Sequence, residues 1–199
     1  MCFLIRKQIS WCKQKDFLNL NPGKAGVYYF ILSTMSNQNF KSKIVSVSDA
    51  SEIVKQWQQD GEKVVFTNGC FDIVHRGHVE YLSKAAEKGN RLVLGLNTDE
   101  SVQRIKGPTR PIVDEESRAI VLAALEFIDM VVFFNEDTPY DLIKAVQPDV
   151  LVKGADYNVE DIVGYDIVVG RGGKVETISF VDGFSTSNII DKIAGEVKK

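Results

Sequence analysis

From residue 43 onward, the chain alternates between short apolar runs and longer segments that mix apolar and polar residues. The runs at 131–134 and 150–152 are continuously apolar, which is typical of strands covered on both faces. Helix-like segments of about ten residues separate the runs, and strands joined by helices form parallel sheets. The pattern therefore predicts the α/β class, with a parallel sheet, helices on both faces and a single domain.

Residues that start and stop helices set the predicted boundaries. We predict strands at 63–67, 91–97, 129–134, 149–153 and 174–179, and helices ending near 59, at 77–88, 114–125 and 139–146, and beginning near 185. Ser48 or Asp49 can cap the first helix, and Asp114 can cap the third. The segment 98–113 is predicted to be a long polar loop, and a glycine-rich connection follows residue 153.

The first 42 residues do not share this pattern and form a predicted extension to a domain at 43–199. Their longest apolar stretch, 25–32, is far shorter than the roughly 20 residues that span a bilayer. Basic residues precede it, as in a secretory signal peptide, but no A-x-A-like cleavage site follows. We expect either a poorly ordered extension or an over-extended start, with Met35 as the native first residue. Intact-mass analysis of protein from its own host distinguishes the two.

Composition narrows the class of protein. The chain is 44% hydrophobic and 26% charged, with a net charge of −3, so no global field attracts nucleic acid or an anionic membrane. Its three cysteines, Cys2, Cys12 and Cys70, show no CxxC spacing and no disulfide framework, which fits a reducing compartment. We therefore expect a cytoplasmic protein without nucleic-acid or membrane partners. Cys70 is interpreted as a small apolar filler rather than a nucleophile.

The segment 68–78 carries the strongest chemical signal, because it joins a predicted strand to a predicted helix. His75 and His78, the two histidines of the chain, lie one turn apart at the helix N-terminus, beside unpaired backbone N–H groups and the positive end of the dipole. This arrangement suits a polyphosphate. Gly69 permits a tight turn, and Gly77 removes a side chain where a nucleotide approaches. Asp72 is expected to hold the turn through backbone N–H groups.

Other polar residues follow strands that end at the same edge of the predicted sheet, where ligands bind. Lys153 ends one strand there, and Asn97 ends another. Lys106 stands before a Gly-Pro turn, from which it can approach a triphosphate. The hydroxyl-rich segment 185–187 begins the terminal helix, where it forms either a second anion site or a simple cap.

The segment 67–78 resembles the signature of the HxGH nucleotidyltransferase superfamily, in its cytidylyltransferase-like branch. The closer resemblance is to the heptose 1-phosphate adenylyltransferase domain. It extends from about 63 to 193 and includes the segments 106–111, 151–157 and 182–190. The resemblance implies a Rossmann-like fold and a transfer of AMP from ATP to a sugar 1-phosphate, heptose 1-phosphate. The products would be pyrophosphate and ADP-heptose, which serves lipopolysaccharide biosynthesis.

The resemblance also implies roles for individual residues. The implied catalytic residues are His75, His78 and Lys106. The implied nucleotide-binding residues are Thr67, Asn68, Gly69, Cys70, Phe71, Gly77, Lys153, Ser185, Thr186 and Ser187. The implied substrate-binding residues are Asn97 and Asp99, through nucleotide-sugar or ribose contacts, and Arg118, through the acceptor phosphate. For Asn97 and Asp99 an ordinary turn is an equal alternative, and for Arg118 a helix-face salt bridge to Asp114 or Glu115 is an equal alternative.

Further expectations concern the cofactor and partners. Mg²⁺ is expected to bind mainly through the triphosphate, with no protein metal site. A homodimer and a separate upstream sugar kinase are expected from the resemblance.

Three alternatives stay open. The first is a cytidylyltransferase acting on glycerol 3-phosphate or a similar phosphate, although the arginine that such relatives place before the terminal glycine is missing at 181–182. FAD-synthase-like transfer to FMN is weaker. The third is a non-catalytic nucleotide-binding module, although such copies usually lose one histidine or the terminal hydroxyl turn.

Overall fold

The computed structural model describes residues 39–154, 158–179 and 183–197. The predicted extension therefore lies outside the described residues as far as residue 38, as does the hypothetical start at Met35. The sheet strands are β1 (Ile44–Val45), β2 (Val64–Gly69), β3 (Arg91–Asn97), β4 (Met130–Phe134), β5 (Val150–Gly154) and β6 (Lys174–Ile178). The α-helices are α1 (Val47–Gln59), α2 (Arg76–Ala86), α3 (Asp99–Lys106), α4 (Glu115–Ala123), α5 (Tyr140–Val146), α6 (Tyr165–Gly170) and α7 (Thr186–Val197). Short 3-10 helices lie at Phe40–Lys43 and Val159–Asp161.

All six strands are parallel, in the order β1-β4-β3-β2-β5-β6. Strand β2 lies at the point where the order reverses, because β3 pairs with one side of it and β5 with the other. In open α/β sheets a crevice forms at such a point, beyond the carboxyl ends of the strands. The topology confirms the predicted Rossmann-like α/β fold with a parallel sheet, and it puts the expected ligand edge at the end of β2.

Side chains that alternate along each strand build two cores, one on each face of the sheet. On β2, Val65 packs in the core that α2 and α4 cover, together with Tyr81 and Leu122. Phe66, the next residue, packs in the core that α1, α5 and α6 cover. We call the first side the α2 face and the second the α5 face. The alternation continues to the strand ends, so it also decides the face on which each polar side chain of the crevice lies.

Three local predictions are wrong. The predicted loop 98–113 contains α3, which is amphipathic but buries only Ser101 and Val102, so its apolar signal is weak. The Thr98 side chain caps it by accepting the N–H of Ser101. Helix α1 begins earlier than predicted, because Ser46 rather than Ser48 or Asp49 is the cap residue. The predicted glycine-rich connection contains α6.

Within the part of the chain that the structure describes, no helix is long and apolar enough to span a bilayer.

Candidate active site

A cleft of about 570 Å³ opens beyond the carboxyl ends of β2, β3 and β5. Its remaining walls come from α3, the start of α5, the segment 161–163 and the start of α7. The structure brings together ten of the residues implied by the resemblance: Asn68, Gly69, Cys70, Phe71, His78, Asn97, Lys106, Lys153, Thr186 and Ser187. The predicted ligand edge and this cleft therefore coincide.

The turn between β2 and α2 shapes the floor of the cleft. Phe71 has a left-handed backbone, with φ of 46°, and its buried ring meets His78 edge-on at a centroid distance of 5.1 Å. A side chain at Gly69 would come within 2.9 Å of that ring. Glycine at 69 is therefore required because the Phe71 ring occupies the space above it, a reason that the sequence did not reveal.

The two histidines form a stacked pair. Their ring centroids are 3.8 Å apart, and the planes differ by 18°. His75 is the cap residue of α2, and its Nδ1 accepts the backbone N–H of His78. The His75 ring must therefore be deprotonated at Nδ1 and keep its hydrogen on Nε2. His78 lines the cleft, whereas His75 lies outside the lining, against the Phe184 ring.

Both imidazoles are neutral at pH 7. Burial, and to a smaller extent the neighbouring His75, lowers the pKa of His78 to about 4. Burial also lowers the pKa of His75. A phosphate oxygen at the start of α2 would therefore meet N–H donors rather than fixed positive charges. Such donors gain strength as negative charge develops on the oxygen.

Asp72 is almost fully buried and fixes a neighbouring segment. Its carboxylate accepts the backbone N–H groups of Ile112 at 2.7 Å and Val113 at 2.9 Å, and it forms an ion pair with Arg110. Asp72 thus binds backbone N–H groups as expected, but those of the segment after α3 rather than those of its own turn. The contacts hold one wall of the cleft against the β2–α2 turn.

Arg118 does not reach the cleft. Its side chain is 0% exposed and forms an ion pair with Asp99 at 2.7 Å. It also donates to the carbonyl oxygens of Cys70 at 2.6 Å and Val113 at 3.0 Å. The alternative prediction of a salt bridge to Asp114 or Glu115 is wrong, because the carboxylate is contributed by the start of α3. Asp99 is also absent from the cleft lining, so the structure brings neither Asp99 nor Arg118 into the cleft where the resemblance implied substrate contacts.

Two lysines supply positive charge to the cleft. Lys153 is the penultimate residue of β5 and is half-buried, and burial lowers its pKa to about 8. Among the described residues, no carboxylate forms an ion pair with it. Lys106 is exposed at the last turn of α3, before Gly107, whose φ is 97°. The sheet thus holds Lys153 in place, whereas Lys106 lies at the exposed edge of the cleft.

Residues at the start of α7 both cap this helix and line the cleft. Ser185 Oγ accepts the backbone N–H of Asn188 at 3.0 Å, which is the simple capping role. Thr186 and Ser187 line the cleft, and Thr186 Oγ1 lies 3.5 Å from the carbonyl oxygen of Ile73. The two interpretations of 185–187 therefore apply to different residues, and the position of Thr186 and Ser187 suits an anion.

Three of the implied residues, two of them outside the cleft lining, make their contacts within the protein. Thr67 is buried, and its hydroxyl lies 2.8 Å from the Tyr81 hydroxyl. The space beside Gly77 holds Phe184 and the His75 ring, so no nucleotide fills it. Cys70 lies near Asn97 Oδ1, at 3.9 Å, and burial raises the pKa of its thiol, as expected of a filler.

Sequence reasoning missed several polar residues of the cleft. The lining also contains Arg110, Asp137, Thr138 and Asp161. Thr138 follows β4 at the ligand edge and could have been found from its position before α5. Asp161 lies in a 3-10 helix that no sequence pattern indicated.

Residues 66–192 match the cytidylyltransferase-like family. The chain belongs to this family. The match confirms the predicted resemblance and the predicted class of enzyme, a nucleotidyltransferase.

Individual relatives agree with this assignment. The chain is 54% identical to the bifunctional protein HldE of Gluconobacter oxydans over 147 residues, 74% of this chain and 31% of that protein. It is 53% identical to HldE of Geobacter metallireducens over 165 residues, 82% of this chain and 34% of that protein. A solved structure, the lipopolysaccharide core biosynthesis protein of Thermoplasma volcanium, is 30% identical, with a TM-score of 0.53 and coverage of 61% of this chain and 100% of that chain. The chain thus spans about a third of the length of these curated relatives.

Proposed function

We propose that this protein transfers AMP from ATP to a sugar 1-phosphate, heptose 1-phosphate, and releases pyrophosphate. Its relatives named HldE and the lipopolysaccharide core biosynthesis protein support a role in heptose metabolism. The single observation that carries the proposal is the pairing of two anion sites. The stacked neutral histidines at the start of α2 stand beside the hydroxyl groups at the start of α7.

The reaction needs positioning rather than a general base. A phosphate monoester has a second pKa of about 6, so the acceptor is already a nucleophile at pH 7. One of its oxygens forms a bond to the α-phosphorus of ATP, and the bond from that phosphorus to the bridging oxygen breaks. The leaving pyrophosphate takes the electron pair, and no proton has to move.

The residues of the cleft suit the positioning and charge stabilisation that this reaction requires. His78, Thr186 and Ser187 offer N–H and hydroxyl donors to the leaving pyrophosphate, and His75 holds His78 in place by stacking. Lys106 can approach the same charge from the exposed edge of the cleft. Together they position the triphosphate and stabilise the charge that develops on the leaving pyrophosphate.

Mg²⁺ is proposed to enter with the triphosphate, where it would offset phosphate charge. This ion is often bound by one or two carboxylates plus substrate phosphates. Asp137 and Asp161 line the cleft and could supply those carboxylates. The described residues contain no group of three or more side chains with metal-ligand chemistry. We further propose a homodimer in the cytoplasm and a sugar kinase that supplies the acceptor.

Pyrophosphate release tests the proposal. ATP and CTP are each combined with D-glycero-β-D-manno-heptose 1-phosphate and with glycerol 3-phosphate. We expect turnover with ATP and the heptose phosphate, and a decrease of orders of magnitude in His78→Ala with an unchanged melting temperature. Turnover only with CTP and glycerol 3-phosphate would move the protein to the cytidylyltransferase alternative. ATP binding without turnover in any combination would favour a non-catalytic module.

A further inference from the structure

Asn68 and Lys153 stand side by side on the face of the sheet that the histidines do not use. Phe66 of β2 pairs in register with Leu151 of β5, and both pack on the α5 face. Two residues further along each strand are Asn68 and Lys153, which by alternation lie on the same face. A side chain at Gly95 would meet the Asn68 Cβ at 3.1 Å and Leu142 of α5 at 3.1 Å. This contact confirms the α5 face for Asn68.

Among the described residues, neither side chain has the partner that its chemistry requires. Asn68 Oδ1 is buried and accepts no hydrogen bond from any described residue. A buried acceptor without a donor is costly, so native proteins rarely leave one unless a ligand or water completes it. Lys153, half-buried, has no ion-pairing carboxylate in the described segments. A ligand that carries both a hydroxyl group and an anion would satisfy the two together.

The other face is where we place the leaving group. Helix α2 packs on the α2 face through Tyr81 and Leu82, and the start of α7 lies beside the start of α2, because Phe184 packs against the space next to Gly77. In phosphoryl transfer the attacking and leaving oxygens lie roughly in line on opposite sides of the phosphorus. If pyrophosphate leaves towards α2 and α7, the acceptor must approach from the α5 face.

We propose that Lys153 and Asn68 bind the acceptor, with the Lys153 ammonium on its phosphate and Asn68 Oδ1 accepting a hydrogen bond from one of its hydroxyl groups. This assignment rests on the proposed function and moves Lys153 from the nucleotide to the second substrate. Burial lowers the pKa of Lys153 to about 8, and an adjacent phosphate would favour the protonated form again. The substrate class is a phosphate monoester of a polyol or sugar.

The test separates the two substrates by equilibrium binding to the full chain. The probes are α,β-methylene-ATP, which cannot transfer AMP, and heptose 1-phosphate added to the enzyme saturated with that analogue. We expect Lys153→Met to weaken heptose 1-phosphate about tenfold or more, because a hydrogen bond to a charged group is lost. Its affinity for α,β-methylene-ATP should stay within twofold. Lys153→Arg should restore most of the acceptor affinity, and Lys144→Met, an exposed lysine of α5 outside the cleft, should change neither.

Asn68→Ala should weaken heptose 1-phosphate several-fold and leave the ATP analogue unchanged. Weaker ATP-analogue binding in this variant would assign Asn68 to the ribose and overturn its part of the inference. Unchanged heptose 1-phosphate binding in Lys153→Met, with wild-type binding intact, would overturn the inference alone. A wild-type protein that binds no heptose 1-phosphate would overturn the inference and the proposed function together. Melting temperatures serve as the folding control, and replacing the half-buried Lys153 by methionine should not lower them, because a cation without a partner gains little from burial.

Discussion

Replacing Arg118 by methionine should destabilise the fold rather than impair acceptor binding. The guanidinium is fully buried and connects three segments: the turn after β2 at Cys70, the segment before α4 at Val113, and the start of α3 at Asp99. Methionine keeps the length and most of the apolar packing of arginine and removes its donors and charge. The substitution therefore isolates the polar contacts.

The contacts set the magnitude. Removing one partner of a buried ion pair typically costs 3–5 kcal/mol, because the other partner stays buried without compensation. Here Asp99 is 32% exposed, so water can solvate its carboxylate after the substitution. The two carbonyl oxygens each lose a donor. We therefore expect about 3 kcal/mol, a large part of the roughly 5–15 kcal/mol that stabilises a typical domain.

Urea unfolding measures this loss as a lower midpoint at an unchanged slope. Arg104→Met is the matched control. Arg104 pairs with Asp137, but the two side chains are 44% and 69% exposed, so its loss should cost less than about 1 kcal/mol. A loss below about 1 kcal/mol in Arg118→Met, together with a raised KM for the acceptor, would contradict this reasoning. That result would return Arg118 to the acceptor-binding role that the resemblance implied.

Three shorter predictions concern the cleft. Because burial lowers the pKa of His78 to about 4, the unfolded chain takes up its proton first as the pH falls. Acidification from pH 7 to 5 should therefore lower the free energy of unfolding by at most about 2 kcal/mol, or about 1 kcal/mol after allowance for partial exposure. Urea midpoints of wild type and His78→Asn at the two pH values check this, since the variant should lose less stability. If the protonated amine of Lys153 binds the acceptor, kcat/KM for the acceptor should decline above about pH 8 in the wild type and stay flat in Lys153→Arg. Gly77→Ala puts a Cβ 3.0 Å from Phe184 and 3.1 Å from the His75 ring. Turnover should therefore fall about tenfold or more, while the melting temperature changes little. Unchanged turnover would mean that the His75 ring can move without consequence.

The apolar pattern predicted the central strands β2, β3, β4 and β5 well because they are largely buried on both faces, which requires nearly continuous apolar runs. The β2–α2 turn was also recognised, because the spacing of His75 and His78 depends only on local helix geometry. Helix α3 was not recognised. Its apolar contribution to the core is confined to Val102, so cap residues alone marked it, and caps are also typical of turns.

Contacts between residues far apart in the chain are the part of the site that could not be predicted from the sequence. Asp99 and Arg118 are 19 residues apart, and Asp72 meets Val113 across 41 residues. No periodicity connects such positions, since the pairing depends on how α3 and α4 return to the end of β2. The same limit applies to Gly77, where the reason for glycine is the Phe184 side chain from the far end of the chain.

The ion pairs around the cleft divide its positive charges into two groups. Arg110 pairs with Asp72, Arg118 with Asp99, and Arg104 with Asp137, so these guanidinium groups hold walls together and are largely neutralised. The imidazoles are uncharged at pH 7. Among the described residues of the cleft lining, Lys106 and Lys153 therefore remain as cations that form no ion pair. A site with only two such charges can bind two mutually repelling anions if each lysine serves one of them, and the face on which Lys153 lies assigns it to the acceptor.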